Sequence, residues 1–252
     1  MAGKTNSRRP GERFHEETKY TPQTLGGHTL DWNNQPSPFK DHPQALGVVA
    51  LPDPGAKGTA NLWEQLYRRR SRRTYEVHTS LDLETLSALL WATQGVTARY
   101  EQTLFRTAPS AGGLYPVETY LSVRLVEGLQ PGMYHFRPHH FDLELLRKGD
   151  VSRMVAQAAL GQHIGAEAQV TFIWSAVVRR SMWKYRQRAY RYIYIDVGHI
   201  AQNLYLAGEA LGLGVCAVGA FFDDLVNELI GVDGREEFAI YLATVGRIAG
   251  EP

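Results

Sequence analysis

Gly212-Leu213-Gly214-Val215-Cys216-Ala217-Val218-Gly219-Ala220 is the stretch on which the fold turns. Its glycines invite comparison with the phosphate loop of a dinucleotide-binding fold. That loop follows a strand and opens a helix, with its glycines at fixed offsets. Here the preceding residues, 197–211, put Ile200, Leu204, Ala207 and Leu211 on one stripe, a helical period closed by Gly212. The glycine spacing is also wrong, so a Rossmann fold is excluded. The stretch reads as a loop whose backbone N–H groups can face a planar ligand.

Working outward, residues 225–230 read as a short helix and 237–245 (EFAIYLATV) as a buried strand. On the other side, 170–178 (VTFIWSAVV) is β-branched and aromatic, the composition of a buried strand. Leu121, Val123 and Leu125 alternate with Ser122 and Arg124, which predicts a half-buried strand. Gln130-Pro131-Gly132 is a turn, residues 133–136 return as a hairpin partner, and 141–146 add a third strand. Helices are expected at 62–69, 81–94 and 151–160. The second of these would be capped by Ser80 or Thr79 and ended by Gly95. Strands and helices do not alternate strictly, so the expected class is α+β with a central, mostly antiparallel sheet flanked by helices.

Residues 1–60 differ from the rest. Seven of the twelve prolines (Pro10, Pro22, Pro36, Pro38, Pro43, Pro52 and Pro54) fall there, and no helical period survives. The expected organisation is an extended N-terminal arm, 1–60, and a folded domain, 61–252.

Over 252 residues, 44% are hydrophobic and 21% charged, which excludes disorder of the whole chain. Lysine plus arginine is 27 and aspartate plus glutamate 26, a net charge of +1 that argues against nucleic-acid binding by bulk charge. A single cysteine, Cys216, excludes an intrachain disulfide and a cysteine-built zinc site. It lies in an apolar run and reads as a core residue. His135, His139 and His140 sit in a hairpin region without carboxylates at helical spacing, so no metal is expected. The apolar run 211–222 has twelve residues, short of the ~18 a membrane helix needs. No secretory signal is read at residues 1–17, and a cytoplasmic location is expected.

Three further segments carry candidate chemistry. Arg68-Arg69-Arg70-Ser71-Arg72-Arg73 packs five arginines into six positions. Such a run repels itself unless a polyanion compensates it, and arginine forks match phosphate oxygens; a solvated basic helix end is the alternative. Pro109-Ser110-Ala111-Gly112-Gly113-Leu114-Tyr115-Pro116 is small and glycine-rich, so a ligand can approach its backbone closely, or it is a plain loop. Trp183-Lys184-Tyr185-Arg186-Gln187-Arg188-Ala189-Tyr190-Arg191-Tyr192 interleaves cations with aromatics. It can stack on nucleic-acid bases, cover a surface amphipathically, or serve catalysis if neighbouring cations pull Lys184 and Tyr185 toward a working pKa.

Taken in order, these segments resemble the nitroreductase superfamily of FMN flavoenzymes, and more closely its SagB-type (azoline) dehydrogenase branch. The resemblance covers nearly the whole chain. It begins with Phe14-His15-Glu16-Glu17-Thr18-Lys19 and Leu30-Asp31-Trp32, runs through RRSRR, PSAGGLYPVE, WKYRQRAYRY and DVGHIAQNLYLAGEALGLG, and ends at Val245-Gly246-Arg247. It implies an intertwined α+β homodimer with FMN at the subunit interface. Arg69, Arg70, Ser71 and Arg73 would hold the phosphate and ribityl chain, with help from Arg247. Val218, Gly219 and Ala220 would face the isoalloxazine. Ser110, Ala111 and Gly113 would come from the partner subunit, Gly113 standing where the wider superfamily often has asparagine. Lys184 and Tyr185 match a catalytic Lys-Tyr pair. The implied reaction is oxidation of a thiazoline or oxazoline by hydride transfer to flavin N5, with a cyclodehydratase as the implied partner. The alternatives are an NAD(P)H-dependent nitro or quinone reductase on the same fold and, from another class, a nucleic-acid-binding module.

Overall fold

The strand-forming segments assemble around one antiparallel sheet in the computed structural model, which describes residues 9–22, 29–54, 60–100 and 103–250; residues 1–8, 23–28 and 55–59 of the arm lie outside them. The strands are β1 (Val48–Ala50), β2 (Val96–Tyr100), β3 (Thr103–Arg106), β4 (Val117–Val123), β5 (Gly132–Arg137), β6 (Asp142–Lys148), β7 (Val170–Val177), β8 (Leu213–Val218) and β9 (Glu237–Arg247). Seven of them form the sheet β1-β6-β5-β4-β7-β9-β8, and β2 and β3 pair separately as a hairpin. Every neighbouring pair in the sheet is antiparallel.

Helices α3 (Leu83–Gln94) and α7 (Ala189–Ala210) cover one face of the sheet, and α4 (Ser152–Ala158) and α8 (Asp223–Ile230) the other. Side-chain alternation along β7 supplies both layers. Phe172 and Trp174 meet Leu86, Leu90 and Leu204, whereas Ile173 meets Val155, Val226 and Leu229. This accounts for a difference from the expected half-buried strand. β4 ends before Leu125 and is buried at every position, because both of its faces are covered.

Helix α7 starts eight residues before the stretch read as helical and buries Ile193, Val197, Ile200, Leu204 and Gly208. A Cβ on Gly208 would lie 2.4 Å from Val215 Cγ2, so this glycine lets the helix press directly on β8. The segment 212–220, expected to be a loop, is therefore largely a strand. β8 pairs with β9 from Leu213↔Arg247 to Val218↔Leu242 and adds an edge to the sheet. Cys216 is buried within it, as the apolar context implied.

The arm is more structured than its prolines implied. Pro10 occupies the first turn of α1 (Pro10–Glu17), where its missing N–H costs nothing, and β1 joins the sheet at Val48↔Glu144. Asp82, not Ser80 or Thr79, caps α3, its carboxylate accepting from Thr85 N at 2.6 Å. The Lys-Tyr segment is helical: α6 (Val178–Tyr185) and a single 3₁₀ turn, Arg186–Arg188, lead into α7.

Candidate active site

Two groups of candidate residues form, at opposite ends of α7. At its C-terminal half, the segment after α2 (Leu62–Arg68) runs beside β8, with Ser71 bridged to Val215. Tyr205 of α7 ties the two together. Its hydroxyl lies 2.9 Å from Ser71 Oγ and accepts from Ala217 N at 2.8 Å, and the Arg69 guanidinium sits 5.1 Å over its ring. The five arginines then divide by partner. Glu209 lies 3.2 Å from Arg72 and 3.7 Å from Arg68. Among the described residues no carboxylate pairs with Arg69, Arg70 or Arg73. Arg70 donates to the carbonyls of Tyr67 and Arg69, and Arg73 to that of Ser71. The buried Arg72 Nε has no partner either. Val218 is buried at the end of β8, and Gly219 and Ala220 beyond it are exposed. Three cations without counter-charge beside an open chain end suit a phosphate-bearing ligand.

At the N-terminal half of α7, Asp196 organises the Ser-Ala-Gly-Gly loop. Its carboxylate accepts from Ser110 Oγ at 2.6 Å and from Ala111 N at 3.2 Å, and Ser110 Oγ in turn accepts from Tyr115 N at 3.0 Å. The hydroxyl proton of Ser110 is thus already committed within its own chain. Burial raises the Asp196 carboxyl above the usual carboxylate range, against the bonds from Ser110 and Ala111. Gly112 and Gly113 both have positive φ (67° and 66°). A Cβ on Gly112 would lie 3.1 Å from Lys184 Nζ and closer still to the Tyr185 hydroxyl, so the loop and the Lys-Tyr pair fit against one another.

The Tyr185 phenol is pushed up, by burial first and then by Tyr192, Tyr20 and Asp196. The direction is opposite to the downward pull expected from the neighbouring cations. Two of the arginines that follow are committed within the chain. Arg188 donates to Thr18 O and covers the Tyr20 ring, and Arg191 donates to Thr18 Oγ1. That leaves little of this segment for stacking on bases.

The Arg247 guanidinium donates to Ser80 O at 2.8 Å and lies 3.8 Å from Asp82, at the start of α3. It belongs to neither group.

Behind the loop lies a buried ionic chain that the sequence reading missed. His135 was left without carboxylates, yet its ring nitrogens lie 2.9 Å from Glu118 and 3.0 Å from Glu144, on the two flanking strands. Glu118 also accepts from Arg180, which donates to Tyr115 O at 3.0 Å and so fixes the end of the loop. Burial opposes ionisation of Glu118, but Arg180 and His135 outweigh it and hold the carboxyl down to about 2. Burial lowers and the two carboxylates raise the His135 pKa, and the net direction is upward. Asp196 and Tyr205 carry no signal of a site role of their own in the sequence, and Gly112 only as part of its loop. What is legible there is a doubled glycine, and a carboxylate and a phenol on an otherwise apolar helix stripe.

Within one chain the two groups do not meet. Asp196 and Tyr205 are nine residues apart on α7, about 14 Å of helix.

Comparison with known proteins identifies the family. The Nitroreductase family model matches residues 66–247. Protein MJ1384 of Methanocaldococcus jannaschii, which carries a nitroreductase designation, is 38% identical over 186 residues, 74% of this chain and 90% of that protein. The trifolitoxin-processing protein TfxB of Rhizobium leguminosarum is 30% identical over 176 residues, 67% of this chain but 47% of TfxB. A nitroreductase-designated crystal structure from Anabaena variabilis superposes with a TM-score of 0.77 at 32% identity, over 92% of this chain and 45% of that one. The chain therefore spans about half the length of these last two relatives.

Proposed function

This chain belongs to the nitroreductase family and is an oxidoreductase, and from that premise we propose that it is a SagB-type dehydrogenase that binds FMN and oxidises azoline rings. The likeness to a peptide-processing relative supports the branch. The observation that carries the cofactor is the arginine turn, where Arg69, Arg70 and Arg73 have no carboxylate partner among the described residues while Glu209 takes Arg68 and Arg72.

An FMN phosphate dianion supplies the missing counter-charge. Arg69, Arg70, Arg73 and Ser71 would hold the phosphate and ribityl end, and Val218, Gly219 and Ala220 would line the ring. The Ser110 to Gly113 loop lies about 14 Å further along α7. It would therefore serve the site of a second copy, making the functional unit a homodimer with two shared sites. Ser110 contributes there by shaping the loop, since Asp196 and Tyr115 occupy its hydroxyl. Arg247 is left out, because Ser80 and Asp82 engage it.

When bound, FMN would supply a two-electron acceptor. The substrate ring loses one acidic carbon-bound proton and, from the adjacent carbon, one hydride, and a C=C bond forms between them. Lys184 would take the proton at its Nζ. Tyr185 stays protonated and donates a hydrogen bond that orients the ring. The Arg180–Glu118–His135 chain keeps the loop rigid behind the pair. A ring-forming cyclodehydratase is the partner class that would supply such a substrate.

The test is an anaerobic incubation of the FMN-loaded protein with a thiazoline-bearing peptide. Bleaching of the flavin together with loss of two hydrogen atoms from the peptide is the expected result. The likeness to MJ1384 favours one alternative, an NAD(P)H-dependent nitro or quinone reductase. Rapid bleaching by NADPH, with no change in the peptide, would establish that alternative instead.

A further inference from the structure

The arm presents a puzzle of economy. Helix α1 buries none of its residues, and Trp32 is 68% exposed, so these parts of the arm add little to the core. The long-range contacts of Thr18, Tyr20, Asp31 and Trp32 nevertheless converge on one place, the turn that carries Lys184 and Tyr185. On the near side, Trp183 Nε1 donates to Asp31 O at 2.8 Å, and the Trp32 and Trp183 rings meet edge-on at 5.2 Å. On the far side, Arg188 donates to Thr18 O at 3.0 Å and lies 4.7 Å over the Tyr20 ring, and Arg191 donates to Thr18 Oγ1 at 2.7 Å. Between them, the Tyr20 hydroxyl reaches the carbonyl of Tyr185 itself at 3.5 Å.

The backbone explains why such a turn needs holding. Arg186, immediately after Tyr185, has φ 50° and ψ −138°. That combination lies outside the regions open to an L-residue, and it persists only where the surroundings impose it. It is also what breaks α6 away from α7 and aims the preceding pair at Gly112.

We propose that arm residues 14–20 and 31–32 form a brace that holds the strained turn at Arg186, and thereby positions Lys184 and Tyr185 against the Ser-Ala-Gly-Gly loop. The arm is a positioning element of the active site, with Thr18 and Trp32 as its two anchor points. This rests on the dehydrogenase reading for its catalytic consequence, though not for its structural one.

The experiment uses the full chain in four forms: wild type, Trp32→Ala, Thr18→Val with Trp32→Ala, and Trp32→Phe. FMN content, kcat and KM with a thiazoline-bearing peptide, and the rate of tryptic cleavage after Lys184 and Arg186 in flavin-free protein are measured. The double variant should lose about tenfold or more in kcat, the scale expected for a small misplacement of catalytic groups, with FMN content unchanged. Its cleavage at the turn should accelerate by a similar factor, and Trp32→Phe should restore both. Wild-type kcat and wild-type protection in the double variant would overturn the brace. Should the double variant fail to fold, the exposed Trp32→Ala change alone carries the same comparison. Lys184→Ala run in parallel separates the two ideas. If it retains turnover, the catalytic reading fails, while the cleavage rates still decide whether the arm holds the turn.

Discussion

Gly112 and Tyr185 are in van der Waals register: a Cβ built on Gly112 would lie 2.6 Å from the Tyr185 hydroxyl oxygen, and Gly112 itself adopts a φ of 67°. Two independent constraints, space and backbone conformation, therefore demand glycine here. Gly112→Ala is expected to cost about 1 kcal/mol or more in stability, and to lower turnover roughly a hundredfold by displacing Lys184 and Tyr185. Thermal unfolding together with thiazoline-peptide turnover checks both. Wild-type turnover would remove this contact from the active site.

The arginine turn predicts a graded loss of flavin. Arg69→Ala and Arg73→Ala should each weaken FMN binding about 10- to 100-fold, the worth of a charge-assisted bond to phosphate. Arg68→Ala, whose partners are Glu64 and Glu209, should change it little. Quenching of flavin fluorescence on titration gives the constants. Equal losses in all three variants would mean that bulk charge, not the unpaired set, binds the phosphate.

Lys184→Ala should abolish oxidation while leaving the flavin bound, because this lysine belongs to the half-site remote from the arginine turn. A colourless variant would place the residue in cofactor binding instead.

The separation of the two groups on α7 predicts complementation. With FMN held below the weakened binding constant of Arg73→Ala, so that this variant and Lys184→Ala are each nearly inactive alone, the two should together regain about a quarter of the wild-type rate when co-expressed, since half of the random dimers carry one intact shared site out of two. The absence of any recovery would put both groups to work within one chain.

The buried carboxylate of Glu118 sets an acid limit on the fold. Its pKa is depressed to about 2 from the 4.5 of an unfolded glutamate, so it stabilises the protein above 4.5 and that contribution is lost as pH falls toward 2. His42, lowered to about 4 mainly by burial, acts in the same direction, because it is buried neutral and must be charged in acid. The elevated His135 pKa has the opposite sign; its contribution is complete in acid and lost as pH rises through the folded value. Glu118→Gln should lower Tm by roughly 10 °C at neutral pH, as expected for breaking one side of a buried ion pair. It should also flatten the pH dependence of unfolding between 4.5 and 2. An unchanged acid limb would assign that limb to other groups.

The sheet was legible where apolar periodicity and length agree. The segments at 170–178 and 237–245 are buried strands with their ends shifted by two residues or fewer. Reading failed where a local signal carries two meanings. Glycines at 212, 214 and 219 marked a loop, yet they are compatible with an edge strand whose packing against α7 needs a bare backbone on the helix side, at Gly208. Prolines in the arm marked irregular chain, yet Pro10 opens a helix. The chemistry of single residues was legible by type and not by partner. The arginine run pointed to a polyanion, but which arginines remain free depends on Glu209, well over a hundred residues away in the chain. His135 appeared isolated because its carboxylates sit on neighbouring strands, where pairing, not sequence distance, brings them together.

The length of α7 has a kinetic corollary. A rigid rod of backbone hydrogen bonds cannot be shortened by side-chain motion, so on the proposed division into half-sites a single polypeptide has no means of closing the gap alone. Catalytic output then becomes second order at high dilution. Halving the protein should quarter the rate below the dissociation threshold, and excess flavin alone should not restore proportionality.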